Sequence, residues 1–292
     1  YHLKIFNSNY SYNTTSQFYY NKIINRYFDK IKFDKIDKKS FNQDEYAPIF
    51  IIGLPRSGST LIESILTSGV EKIGTVGESH VVNMAILDQI GPIIFSNSFN
   101  KDEFNFELNY EKIKKNIYTK YYKLDRTNNN SIFVDKSLEN FFNIEIIKQV
   151  FPNAKFLHTY RNISDSVISI YHSMLPDLSW VHSIDNILSY IDDYLKVMDI
   201  FRTKYKDCIM DIKLENFTEH SEDLGKEIFE FCKLPWDLNT LNFYKRKNLY
   251  SKTLSFKQIR SKISRYDEKR YQPYFYLLDT YKDKYKWLKN LN

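Results

Sequence analysis

Four short apolar runs interrupt an otherwise polar chain, and each is followed by a stretch whose apolar residues recur at helical spacing. The first, Ala47-Pro48-Ile49-Phe50-Ile51-Ile52-Gly53, has no charged or hydroxyl side chain and is rich in β-branched residues, which predicts a strand buried on both faces. A helix is expected from Ser59 to Leu66. Ser131-Ile132-Phe133-Val134 predicts a second strand, with a helix from Asn140 to Phe151 behind it. Lys155 to Tyr160 predicts a third strand and Ile163 to Tyr171 its helix; Cys208 to Ile212 predicts a fourth, followed by a helix from about Glu219 to Cys232. Strands alternating with helices predict a three-layer α/β fold, a mainly parallel central sheet flanked by helices on both faces. Residues 1–45 break this rhythm. They are rich in Asn, Lys and Tyr, carry one helical pattern near Phe18 to Ile31, and read as a helical lead-in to a domain spanning 46–292.

Composition removes several function classes. The formal net charge is +6, but Lys alternates with Asp and Glu almost everywhere, which describes a solvated surface and not a nucleic-acid face. The 24 Tyr and 22 Phe are spread through the whole chain, so they form no stacking platform. Two cysteines, Cys208 and Cys232, make neither a metal-ligand spacing nor a disulfide framework, and no metal is expected. No apolar run reaches the length of a membrane span; the most apolar window contains Arg56 and Glu63. No signal peptide is visible, and a chain that starts at Tyr1 is expected to be a fragment. A cytoplasmic location is the corresponding expectation.

The most informative stretch joins the first strand to its helix: Gly53-Leu54-Pro55-Arg56-Ser57-Gly58-Ser59-Thr60. Two glycines with four residues between them, followed by Ser-Thr, have the spacing of a phosphate-binding loop, but Ser59 stands where ATP-binding enzymes place Lys. Glycines let the backbone wrap closely round an anion, helix-start N–H groups point at it, and Arg56 adds a planar donor fork. The missing Lys speaks against a kinase-like phosphotransferase using Mg-ATP. A non-catalytic nucleotide-binding module is the other rival. Arg161 offers a second cation at the carboxyl end of the third strand, the edge where α/β sheets bind ligands.

Pro55-Arg56-Ser57-Gly58-Ser59-Thr60-Leu61 resembles the 5′-phosphosulfate-binding loop of sulfotransferases. It is most similar to tyrosylprotein sulfotransferases and to bacterial sulfotransferase domains that follow tetratricopeptide repeats. The resemblance implies a P-loop-like fold and the co-substrate 3′-phosphoadenosine-5′-phosphosulfate, with the 5′-phosphosulfate held by Pro55, Arg56, Ser57, Gly58, Ser59 and Thr60. Arg161 and Ser169, eight residues apart, match the pair that binds the 3′-phosphate in such enzymes. Phe231 to Asp237 resembles a segment common in the bacterial group, Ser255 to Arg260 its Ser-x-x-Gln-Val-Arg element, and Lys269-Arg270-Tyr271 its basic residue before Trp. By the same resemblance Ser255 and Arg270 help hold the 3′-phosphate end. The implied acceptor is a hydroxyl on a peptide, sugar or small molecule, with protein tyrosine among the choices. Upstream tetratricopeptide repeats, a homodimer, and a Golgi lumen location for a eukaryotic tyrosylprotein enzyme are further expectations.

Sulfuryl transfer asks for a base at the acceptor and for cations where charge gathers. Gly77-Glu78 matches the Gly-Glu that supplies the base in tyrosylprotein enzymes, so Glu78 is the expected base, and His80 is the alternative. Taken alone, Glu78 before Ser79 and an apolar stretch also fits a helix-start carboxylate. Asp135-Lys136-Ser137-Leu138-Glu139-Asn140-Phe141 matches a family pattern without its Pro, and Lys136 is expected to share with Arg56 the stabilisation of the transferred group. The chain departs from the tyrosylprotein pattern at His80 and Met84, where those enzymes carry Arg for acidic peptides, and at Leu214-Glu215-Asn216-Phe217, where they carry Tyr-Glu-Asp-Leu.

Overall fold

A computed structural model describes residues 32–33, 47–70, 73–94, 107–124, 132–176, 178–246 and 260–290. The helix expected near Phe18 to Ile31, and Ser255, lie outside them. In chain order the described strands are β1 (Lys32–Phe33), β2 (Ile49–Gly53), β3 (Gly74–Gly77), β4 (Glu107–Leu108), β5 (Phe133–Asp135), β6 (Lys155–Tyr160) and β7 (Ile209–Lys213). Five of them form the central sheet in the order β3-β5-β2-β6-β7, and every pairing is parallel. β1 and β4 form a separate two-stranded parallel ladder.

Side chains alternate across each strand, so the sheet buries two apolar faces. Phe50, Ile52 and Phe156 point into one core, with helices α2 (Val81–Ile94), α3 (Tyr110–Lys123), α4 (Ile144–Val150), α5 (Ile163–Ser173) and α6 (Ile184–Lys204). Ile49, Ile51, Val134, Leu157 and Ile212 point into the other, against α1 (Ser59–Leu66) and α8 (Ser221–Phe231). This is the three-layer α/β arrangement expected from the sequence. Ile51 is fully buried, and truncating it to Ala would cost about 2–5 kcal/mol.

Local differences from the sequence reading have physical causes. The second strand runs Phe133–Asp135, so Ile132 is not part of it, and Ser131 lies outside the described residues. The helix expected from Asn140 opens instead as a 3₁₀ stretch, Leu138–Asn143, and becomes α-helical only at Ile144. The last expected helix, from about Glu219 to Cys232, is α8 (Ser221–Phe231); a short helix, α7 (Leu214–Glu219), precedes it and parts from it at His220, whose backbone leaves helical geometry at φ −122° and ψ 48°. β3, α3, α6 and α7 carry no expectation from the sequence, while α2 begins where Glu78-Ser79 and an apolar stretch fit a helix start. β3 is Gly-Thr-Val-Gly, too short and too glycine-rich to print an apolar run.

Candidate active site

Because the sheet is parallel, all five strands deliver their carboxyl ends to one edge. Glu78 is the first residue after β3, Lys136 the first after β5, Arg161 the first after β6 and Leu214 the first after β7. The phosphate-loop candidate leaves the central strand β2 between them. That loop depends on Gly53: its φ is 137°, and a Cβ there would lie 2.2 Å from the main-chain oxygen of Thr159. Ser57 Oγ pairs with Thr159 Oγ1 at 2.8 Å, tying the loop sideways to β6. Arg56 adopts a left-handed φ of 68°, a strained conformation for a side chain of this size, and Gly58 follows at φ 90°. The amide N–H of Leu61 then donates to the oxygen of Gly58 at 2.9 Å, starting α1 with its first N–H groups turned to the loop.

Arg56, Gly58, Thr60 and Leu61 line a cavity of ≈ 290 Å³, and Arg161, Leu214 and Arg270 line it with them. Two separated cations, from loop and third predicted strand, therefore meet in one space. Burial lowers the Arg56 pKa, and the neighbouring charges of Arg161 and Arg270 lower it further, against an opposing pull from Tyr271. The cavity is a cationic pocket suited to an anion. Pro55, Ser57 and Ser59 belong to the same loop but are not on the cavity wall. A larger cavity of ≈ 530 Å³ opens between β6 and α6, beside His158, Tyr194 and Arg202; it reaches Arg161 but neither Arg56 nor Lys136, so it is not the space between the two cations.

Arg161 is only 7% exposed. Its Nη2 donates to the main-chain oxygen of Asp165 at 2.8 Å and its Nη1 to the Tyr266 hydroxyl at 3.1 Å. Tyr266 and Tyr271 rings flank it, with centroids 5.6 and 5.4 Å from the guanidinium carbon. Ser169 is buried behind this group: its hydroxyl accepts from Tyr271 at 3.2 Å and does not reach the cavity wall. Arg270 is exposed and stacks on Tyr271 with its guanidinium carbon 5.4 Å from the ring centroid.

The other end of the edge is built from carboxylates. Gly77, at φ 62°, sits where the β3–β5 register shifts, and its oxygen accepts from the Lys136 amide at 2.9 Å. This brings Glu78 against Lys136, with Lys136 Nζ donating to Glu78 Oε1 at 2.6 Å. Glu63 of α1 lies on the same ammonium at 3.7 Å and accepts from Thr75 Oγ1 at 2.7 Å. Burial alone would lower the pKa of Lys136, yet the two glutamates outweigh it and hold the amine charged. Asp135 is a buried hub that accepts from Ser79 Oγ (2.6 Å), Tyr121 OH (2.7 Å) and the Ser137 amide (2.8 Å), and so fixes the loops bearing Glu78 and Lys136. His80, at a left-handed φ of 53°, pairs with Glu139, whose charge raises the imidazole pKa to about 9. Glu63, Glu139, Asp165, Tyr266 and Tyr271 were given no role from the sequence. Among the described residues, no group of three His, Cys, Asp or Glu could hold a metal ion, and no helix is long and apolar enough to cross a membrane.

Comparison with known proteins points the same way. A family model described as the sulfotransferase family matches residues 48–238. An uncharacterized protein of Aquifex aeolicus (strain VF5) is 29% identical over 241 residues, which is 78% of this chain; the chain spans only 30% of that relative's length. Among solved structures, the sulfotransferase domain from the Synechococcus PCC 7002 olefin synthase superposes with a TM-score of 0.54 at 20% identity, covering 80% of this chain and 88% of that domain.

Proposed function

This chain belongs to the sulfotransferase family, and from that premise we propose that it moves a sulfuryl group from 3′-phosphoadenosine-5′-phosphosulfate to an acceptor hydroxyl. One observation carries the choice of donor: Arg56 and Arg161 line a single cavity on the edge of the sheet, with Leu61 and Leu214 on the same wall. A nucleotide with an anionic group at each end fits two cations so separated. Arg56 and the first N–H groups of α1 take the 5′-phosphosulfate, and Arg161 with Arg270 the 3′-phosphate.

In the transfer, the acceptor oxygen bonds to sulfur as the bond from sulfur to the bridging phosphate oxygen breaks. Glu78 takes the acceptor's proton, a contribution of roughly 10²–10⁴-fold. Lys136, held charged in its buried place, and Arg56 offset the charge on the sulfuryl and leaving phosphate oxygens. His80 suits the role of base less well, because a group with a pKa of about 9 keeps its proton at pH 7. The products are a sulfated hydroxyl and adenosine 3′,5′-bisphosphate. The resemblance to tyrosylprotein enzymes nominates protein tyrosine as acceptor, beside sugars and small hydroxyl compounds.

Titration calorimetry with adenosine 3′,5′-bisphosphate and ATP tests the donor. Wild type is expected to bind the bisphosphate more tightly, and Arg56→Ala and Arg161→Ala each to weaken it by about tenfold or more, the worth of charge-assisted hydrogen bonds. Tighter binding of ATP would overturn the reading.

A further inference from the structure

We propose that Tyr266 is a positioning residue for the donor's 3′-phosphate: its phenol orients Arg161 and keeps the Asp165 carboxylate off the guanidinium. The inference rests on the donor reading above and names a residue beyond 238, where the family match ends.

Arg161 and Asp165 are four residues apart at the start of α5, and both are buried. Arg161 lies just before the N-cap Asn162 and Asp165 in the first turn, close enough for their charges to act on each other. Among the described residues, however, no ion pair joins them; Arg161 touches only the main-chain oxygen of Asp165. The phenol of Tyr266 stands where the ion pair would be. Its hydroxyl donates to Asp165 Oδ2 at 2.8 Å, so its lone pairs are left to accept from Arg161 Nη1 at 3.1 Å. The donor order Arg161 to Tyr266 to Asp165 is thereby fixed. The phenol is itself anchored, since the Tyr266 amide donates to Thr218 Oγ1 at 3.0 Å. Tyr266 also lines the cavity together with Arg161. Arg161 Nε and Asp165 Oδ1 stay buried with no hydrogen-bond partner.

The physical consequence concerns competition. A carboxylate paired directly with Arg161 would occupy the N–H donors that a phosphate needs and cancel the charge that draws it. A neutral phenol in between holds the guanidinium without cancelling it, and it moves the negative charge one group further away. Removing only the phenolic oxygen should let Asp165 close on Arg161.

The test compares adenosine 3′,5′-bisphosphate with adenosine 5′-monophosphate, which lacks the 3′-phosphate, by calorimetry on the full chain. Tyr266→Phe is expected to weaken the bisphosphate by about tenfold, the loss of a hydrogen bond to a charged group, and to weaken the monophosphate by less than about twofold. Asp165→Asn is expected to match or exceed wild-type bisphosphate affinity. The double variant Tyr266→Phe/Asp165→Asn is expected to recover most of what Tyr266→Phe loses, because the competing charge is gone. Equal weakening of both nucleotides would reveal a packing role and overturn the proposal. So would a bisphosphate affinity that Tyr266→Phe leaves unmoved, or one that Asp165→Asn lowers. A wild type that does not prefer the bisphosphate to the monophosphate would instead overturn the donor reading, and this proposal with it.

Discussion

On the β2–β6 side of the sheet edge three arginines converge on one cavity, whereas on the β3–β5 side a buried lysine and a histidine are enclosed by four carboxylates. The first group repels itself: the charges of Arg161 and Arg270 help lower the Arg56 pKa. The second is neutralised internally, with Lys136 against Glu63 and Glu78, and His80 against Glu139. A region where three arginines outnumber the Asp267 that shares their cavity is suited to an anion. A region already paired holds its charges in place from within, with Lys136 and His80 kept protonated and Glu139 kept ionised. On the function proposed above, donor binding falls to the first half of this edge and proton transfer to the second.

Three substitutions would break or sharpen this contrast. The largest effect is expected from Glu78→Gln: turnover with any hydroxyl acceptor that wild type uses should fall by roughly 10²–10⁴-fold, while bisphosphate affinity stays close to wild type. A parallel loss of affinity in calorimetry would erase the division between halves, and unchanged turnover would favour a non-catalytic module. Lys136→Met comes next. It leaves the buried Glu63 and the 45% exposed Glu78 without their shared cation; solvent screening at Glu78 keeps the loss below the ~3–5 kcal/mol of a fully buried pair, to be read as a lower unfolding midpoint in denaturant. The smallest effect concerns His80. Its folded-state pKa, about 9, lies above the ordinary 6.5, so its stabilisation is complete below about pH 6.5 and is lost as pH climbs through 9. The imidazole is 39% exposed, so solvent screening reduces this to about 1 kcal/mol. Scanning calorimetry of His80→Gln should show that this alkaline loss has vanished; a variant that keeps it would place the titrating group elsewhere.

The sheet was legible because β2 is buried on both faces and prints an unbroken apolar run, while β6 shows Phe156 and Leu157 before His158 and Thr159, polar residues that are themselves buried. β3 printed none, since two of its four residues are glycines, the second of which, Gly77, makes the turn to Glu78. α6 did carry a readable stripe, at Ile187, Ile191, Tyr194, Met198 and Phe201, though Asp and Lys crowd its other face. In the site, Arg56, Lys136 and Arg161 could be found because each directly follows a strand or sits in a glycine-framed loop. Tyr266 could not. Its partner Arg161 is 105 residues away, and no local pattern encodes which tyrosine of the C-terminal segment will fold back onto α5. Glu63 was hidden in a similar way: helical spacing marks it as a polar position on α1, but only the path of β3 and β5 brings it to Lys136.

Adjacent strands lie about 4.8 Å apart, so the edge of this sheet is also a ruler. Lys136, the loop with Arg56, and Arg161 leave the neighbouring strands β5, β2 and β6, each one division along it. Backbone pairing sets the pitch of these marks, and surface substitutions cannot stretch it. On the donor reading proposed above, a nucleotide would be measured by where its anionic groups fall along this pitch, with Arg56 and Arg161 reading the two marks.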